Sequence, residues 1–234
     1  MATIFSPGWT FSIAIGVLFV SLAPLFATKE PVKIGQRVDM SVVNPLHHIR
    51  DYASMGMMNL AHLISSGLWP LLLAVFIFDS DVYAKVGVLV ALTTLVSVFS
   101  AYMFGKFIDS KRGLYLLRYG TVMYGLGDVL RSIITTSSGA LALGMVSEPS
   151  FLSVKLPLQK SFYDRADTIG EDKRIAYIAW AEIAGAIMKF TFTSGLFIAT
   201  FFFDPVSVLR VGFVVGGVLA PVMLLQRFPT LKRV

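Results

Sequence analysis

Long apolar runs alternate along this chain with short clusters of charge. A helix needs about 20 residues to cross the hydrocarbon of a bilayer while satisfying every backbone N–H and C=O within the segment. Windows of that length fall at 9–28, 52–78 and 86–105 with no Asp, Glu, Lys or Arg inside them. Four further windows carry charge: 113–134 holds Arg118, Asp128 and Arg131; 138–158 holds Glu148 and Lys155; 175–203 holds Glu182 and Lys189; 206–226 holds Arg210. The pattern predicts an all-α, polytopic membrane bundle of about seven transmembrane helices.

The connections at 79–85, 132–137 and 204–205 are short, which predicts antiparallel hairpins of the second with the third, fourth with fifth, and sixth with seventh spans. Those at 29–51 and 158–174 are long and charged. Residues 1–28 therefore read as a first transmembrane helix, 29–51, with Pro31, Asn44 and Pro45, as a cytoplasmic linker, and 52–234 as a six-helix membrane bundle that could divide three plus three.

Composition supports lipid as the solvent. The chain is 56% hydrophobic and only 15% charged, against about a quarter charged in soluble domains. Assigning alternate connections to opposite sides places sixteen of the 20 Lys and Arg on one side, with Lys85, Arg131 and Arg210 on the other and Lys189 inside a span. By the positive-inside rule the basic side is the cytoplasm, so the N-terminus is expected outside and the C-terminus inside a plasma (inner) membrane. The net charge of +6 thus reports topology, and no nucleic acid partner is expected. The first 28 residues lack the basic segment of a cleavable signal, so 9–28 is expected to remain as a span. Cysteine is absent, which excludes disulfides, thiolate metal sites and cysteine nucleophiles. His47 and His48 are adjacent with no ligand partner at helical spacing, so no metal site and no cofactor are expected. Neither a G-x-S-x-G elbow, an H-E-x-x-H helix nor a phosphate loop occurs, and an enzyme is not expected.

Several residues point to a solute path. Asn59, His62, Ser66 and Trp69 fall at offsets 0, 3, 7 and 10, one sector of a helix at 100° per residue. They either line a cavity or bond one helix to another. Asp128 and Arg131 have the spacing of a local ion pair. Glu182 and Lys189 lie two turns apart, about 10 Å, and reach either each other or separate partners. Glu148 is the costliest residue, because a charge in the middle of a span costs at least about 2.5 kcal/mol. Pro149 beside it frees a backbone carbonyl near Met145. Glu148 is then either a cavity carboxyl that binds and releases a proton, or a neutral acid bonded to that carbonyl.

Between the third and fourth spans the chain reads Gly105, Lys106, Phe107, Ile108, Asp109, Ser110, Lys111, Arg112, Gly113. A glycine there permits close helix approach and a tight turn, and Asp109 can cap a helix or pair with a cation. The run resembles the cytoplasmic hairpin signature of the major facilitator superfamily of secondary transporters: Gly, three residues, Asp, then basic residues around another Gly. It departs from that signature at Ser110, where a basic residue is usual, and at Gly113, one position late. The layout is also similar to that family's sixth helix, long linker and C-terminal six-helix half. The resemblance implies secondary active transport of a small solute, with a proton as the expected coupling ion. It also implies a second bundle, either an N-terminal six-helix half missing before Met1 or another copy. The rival readings are a seven-helix sensor or photoreceptor, whose Schiff-base lysine 206–226 lacks, and a membrane scaffold whose polar residues pair off.

Overall fold

The computed structural model describes residues 15–16, 19–20, 39–78, 81–110 and 112–226. The chain divides into two compact units, Met1–Arg37 and Val38–Val234. In the first, Ile15, Gly16, Phe19 and Val20 are helical, and the rest of the expected span 9–28 lies outside the described residues.

The second unit is built of helices, with no strand among its described residues. Its six helices are α1 (Pro45–Ile77), α2 (Val82–Asp109), α3 (Gly113–Arg131), α4 (Ser137–Ile169), α5 (Glu171–Ala199) and α6 (Pro205–Leu225). Local chemistry fixes several of the starts. The Asn44 side chain accepts from the N–H of Leu46 with Pro45 in the first position, Thr136 accepts from Gly139, and Asp204 accepts from Ser207 ahead of Pro205. Each is a side-chain oxygen answering a backbone N–H that the first turn leaves open.

Four of the six, α1, α2, α5 and α6, are long and apolar enough to cross a membrane, as an integral membrane protein requires. The membrane-competent count among the described residues is thus four, against seven expected. Helices α3 and α4 fall short because they carry polar and charged residues; α4 lies in the interior, whereas α3 turns an apolar face with Tyr119, Val122 and Leu126 outward. Helix α4 packs on α1, α2, α3 and α5, and polar groups on such helices find protein where they would otherwise meet lipid.

The expected long loop 158–174 is mostly helix. Helix α4 runs for 33 residues to Ile169, about 50 Å against the roughly 30 Å of hydrocarbon. Its last turns bury Ser161, Phe162 and Ala166, with Phe162 stacked on Tyr177 of α5 at 5.0 Å. The chain then reverses within one residue, Gly170, at φ 107°, a conformation that favours glycine.

The hairpins are uneven. Helices α3 and α4 share a broad interface, but α1 meets α2 mainly through its last turns, Leu73–Ile77, and α5 meets α6 narrowly. A short loop fixes only one end of a hairpin, and small residues decide where the remaining surfaces go. The broad interfaces are α1 with α5, α2 with α4, α3 with α4, α1 with α6, and α3 with α6. Exchanging α1 with α4, α2 with α5 and α3 with α6 maps this set onto itself. Glycines follow the same exchange: Gly56 of α1 faces Ala184 of α5 and Gly144 of α4 faces Thr93 of α2, while Gly120 of α3 faces Val154 of α4 and Gly216 of α6 faces Ile64 of α1. At the self-paired crossing, a Cβ on Gly125 would sit 2.9 Å from the carbonyl oxygen of Gly217. Backbone meets backbone there, with no side chain able to give way.

Gly125→Leu is expected to cost about 1–3 kcal/mol by overpacking this crossing. Gly105→Ala, with open space around its Cβ, is expected to be neutral or to gain up to about 1 kcal/mol of helix propensity. Reversible denaturation of both variants in detergent measures the contrast.

Candidate functional site

Helix α1 is interrupted by two π-helical runs, Ile64–Leu68 and Leu73–Ile77. Pro70 between them has no N–H to give the turn before it, and the N–H of Trp69 reaches back five residues to the carbonyl of Ile64. Such wide turns re-aim side chains. Here they aim Ser65, Ser66 and Trp69 at a cavity of about 230 Å³ between α1, α2 and α4. Helix α2 contributes Thr93, Thr94 and Ser97, and α4 contributes Gly144 and Glu148. The half-buried Glu148 makes no hydrogen bond or ion pair with the described residues, and Arg131 and Lys155 are the cations whose fields reach it.

Behind the cavity lies a closed ionic centre. Arg131 and Asp128 have no exposed side-chain surface and pair at 2.8 Å. The same Nη1 donates to Ser65 Oγ at 3.0 Å, and the guanidinium lies over the Trp69 ring at 5.1 Å. Trp69 in turn meets Phe213 of α6 edge-on at 5.9 Å. Three helices are thereby joined around one cation. Arg131 Nε and Nη2, Asp128 Oδ2 and Trp69 Nε1 are buried without partners among the described residues, so this centre keeps hydrogen-bonding capacity that its own residues do not fill.

The four residues placed on one sector of α1 meet different neighbours. Asn59 packs on Gly185 of α5, where any Cβ would collide with its amide. His62 is exposed with its ring stacked on Phe151 of α4 at 5.9 Å, and the charges of Lys155 and Lys189 reach it. Ser66 borders the cavity, and Trp69 separates the cavity from Arg131. Glu182 is exposed, Lys189 is half-buried, and the two form no ion pair with each other. In the hairpin motif, Asp109 ends α2 and pairs with Lys160 of α4 at 3.2 Å, both side chains largely exposed. No side chain caps the start of α3. Gly105 faces open space, the N–H of Arg112 closes the turn onto the carbonyl of Phe107, and Gly113 is buried as the first residue of α3. Lys111 lies outside the described residues.

Sequence reasoning missed Ser65, Thr93, Thr94 and Ser97. Thr93 and Ser97 stand four apart in an otherwise apolar helix, a signal that places both hydroxyls on one face. Ser65 lies next to the chosen sector and enters the site through the π turn.

Asp128→Asn leaves the Arg131 cation buried and unanswered and is expected to cost about 3–5 kcal/mol. The double change Asp128→Leu with Arg131→Met is expected to recover most of that loss. Equal stability of the single and double variants in a detergent unfolding series would show that the two charges are not coupled. The chain matches no protein-family model, no curated protein and no solved structure, so the chemistry of the cavity rests on its own residues.

Proposed function

We propose that Val38–Val234 is one six-helix half of a secondary active transporter of the major facilitator type, moving a small solute across a plasma or inner membrane with a proton as the coupling ion. Glu148 carries this reading. A carboxyl without a partner, on an interior helix and facing a hydroxyl-lined cavity, is what a proton-exchanging site needs and what a purely structural residue avoids. The interchange of α1–α3 with α4–α6 supports it, because three helices reverse direction and units so related form an inverted repeat around a central site. The cavity lies between the first helices of the two triplets, α1 and α4, together with α2. The hairpin resemblance at Gly105, Asp109 and Gly113 adds the family, with Asp109 tying α2 to α4 through Lys160.

One bundle cannot alternate access alone. The exposed His62 and Ser66 of α1 and the half-buried Lys155 and Lys189 of α4 and α5 call for a second bundle, either an N-terminal half or another copy. The orientation proposed is N-terminus outside and C-terminus in the cytoplasm.

Two measurements test this. Glu148→Gln in the complete transporter is expected to abolish uptake driven by a pH gradient while sparing expression, and proton coupling equal to the parent's would leave Glu148 a structural residue. Single cysteines at Ser137 and Pro205 are expected to label from outside sealed cells and those at Ser110 and Gly170 only after lysis; the reverse pattern overturns the orientation.

A further inference from the structure

We propose that the cavity between α1, α2 and α4 takes a small protonated amine, an inference that rests on the transport reading for its physiological role but not for its chemistry. Ser66 spends its hydroxyl hydrogen on the carbonyl of His62 at 2.6 Å, and Thr93 spends its own on the carbonyl of Leu89 at 2.9 Å. Each hydroxyl oxygen then has only lone pairs left for a ligand. An ionised Glu148 likewise only accepts. Ser65 accepts from Arg131 and keeps one hydrogen, while Thr94 and Ser97, with no partner among the described residues, turn either way. The one fixed donor on the wall, the indole N–H of Trp69, has no accessible surface. The wall therefore demands a donor from its ligand at three committed positions.

Charge points the same way. The guanidinium of Arg131 is fully buried and matched by Asp128, so it offers the cavity no free cation. Lys155 is seven residues beyond Glu148, about 10 Å along the helix. Glu148 is thus the one carboxylate of the lining, without a contacting counter-ion. A group with several N–H donors and a positive charge, an ammonium, satisfies the committed acceptors and the carboxylate together, whereas an anion would be repelled by Glu148. At about 230 Å³ the space equals the share of about eight waters at ~30 Å³ each, too large for a bare inorganic cation and suited to an amine of a few heavy atoms.

The test uses the full chain in nanodiscs, with thermal unfolding followed at constant ionic strength. Ethanolammonium, ethylene glycol, glycolate and sodium serve as probes, the first three having closely similar bodies and charges of plus one, zero and minus one. Ethanolammonium alone is expected to raise the unfolding midpoint saturably. Glu148→Gln should weaken its apparent affinity at least tenfold, and Thr93→Val, which removes one acceptor at constant volume, several-fold. Equal stabilisation by ethylene glycol, glycolate or sodium, or undiminished affinity in Glu148→Gln, overturns the proposal. Uptake of labelled ethanolamine by the complete transporter, with its second bundle present in the vesicles, separates the two readings. Glu148-dependent binding without pH-driven uptake keeps the amine site and removes transport, while pH-driven uptake of another solute without ethanolammonium binding keeps transport and removes the amine.

Discussion

An arginine with no solvent-accessible surface must be held by an anion, because a lone buried cation costs several kcal/mol. Arg131 meets that demand one turn away, in Asp128, and the rest of the bundle's centre is arranged around the pair. Ser65 reaches it from α1, Trp69 covers it, and Phe213 of α6 braces Trp69. The pair therefore locks the register of α3 against α1 and α6. Such a lock does not make the protein more stable than an apolar centre would. It makes one arrangement of three helices far better than its neighbours, and the cavity wall inherits that precision, because Ser65 and Trp69 belong to both the ionic centre and the cavity lining.

The remaining helices are placed by what they lack. Where lipid is the solvent, hydrophobic burial does little to drive one helix onto another, and close packing of small residues takes over. The glycines at α1–α5, α2–α4, α3–α4 and α1–α6 are placed so that each interface between the two triplets has a counterpart under their exchange. Gly125 and Gly217 form the crossing that the exchange maps onto itself. The consequence for the site is direct. Gly144 brings α4 within van der Waals reach of Thr93, and a larger residue there would separate the Thr93 hydroxyl from the Glu148 carboxyl across the cavity.

The charge-free windows 52–78 and 86–105 located α1 and α2 well because insertion into hydrocarbon is governed by composition, which a sequence displays. The same criterion misjudged 158–174, where polar residues were read as loop. Outside the hydrocarbon a helix may be polar on one face, and the buried positions Ser161, Phe162 and Ala166 show α4 continuing on that footing. Asp128 and Arg131 were legible as a pair from spacing alone, but their complete burial was not, since that depends on Ser65 and Trp69 sixty residues earlier. Glu148 was legible from cost. The hydroxyls of α2 were not, because Thr93 and Ser97 are ordinary in an apolar helix until a π turn in α1 and a glycine in α4 bring partners opposite them. Gly105 shows the converse: a glycine prominent in a motif, yet with nothing packed against it.

The polar residues left outside the cavity bear on the proposed second bundle. Exposed histidine and half-buried lysines on α1, α4 and α5 would be retained at a cost if they faced lipid tails, and Lys189 has no anion within ion-pairing distance among the described residues. Their persistence on helices that border or adjoin the cavity makes sense if that face meets protein and water. Under the proposed function, the unmatched charges of Lys155 and Lys189 set a requirement on the second bundle: it must bring acceptors, acidic or carbonyl, to the level of His62. A second bundle that supplied only apolar side chains would bury two cations without relief, and the same desolvation cost that fixes Arg131 to Asp128 would drive it off.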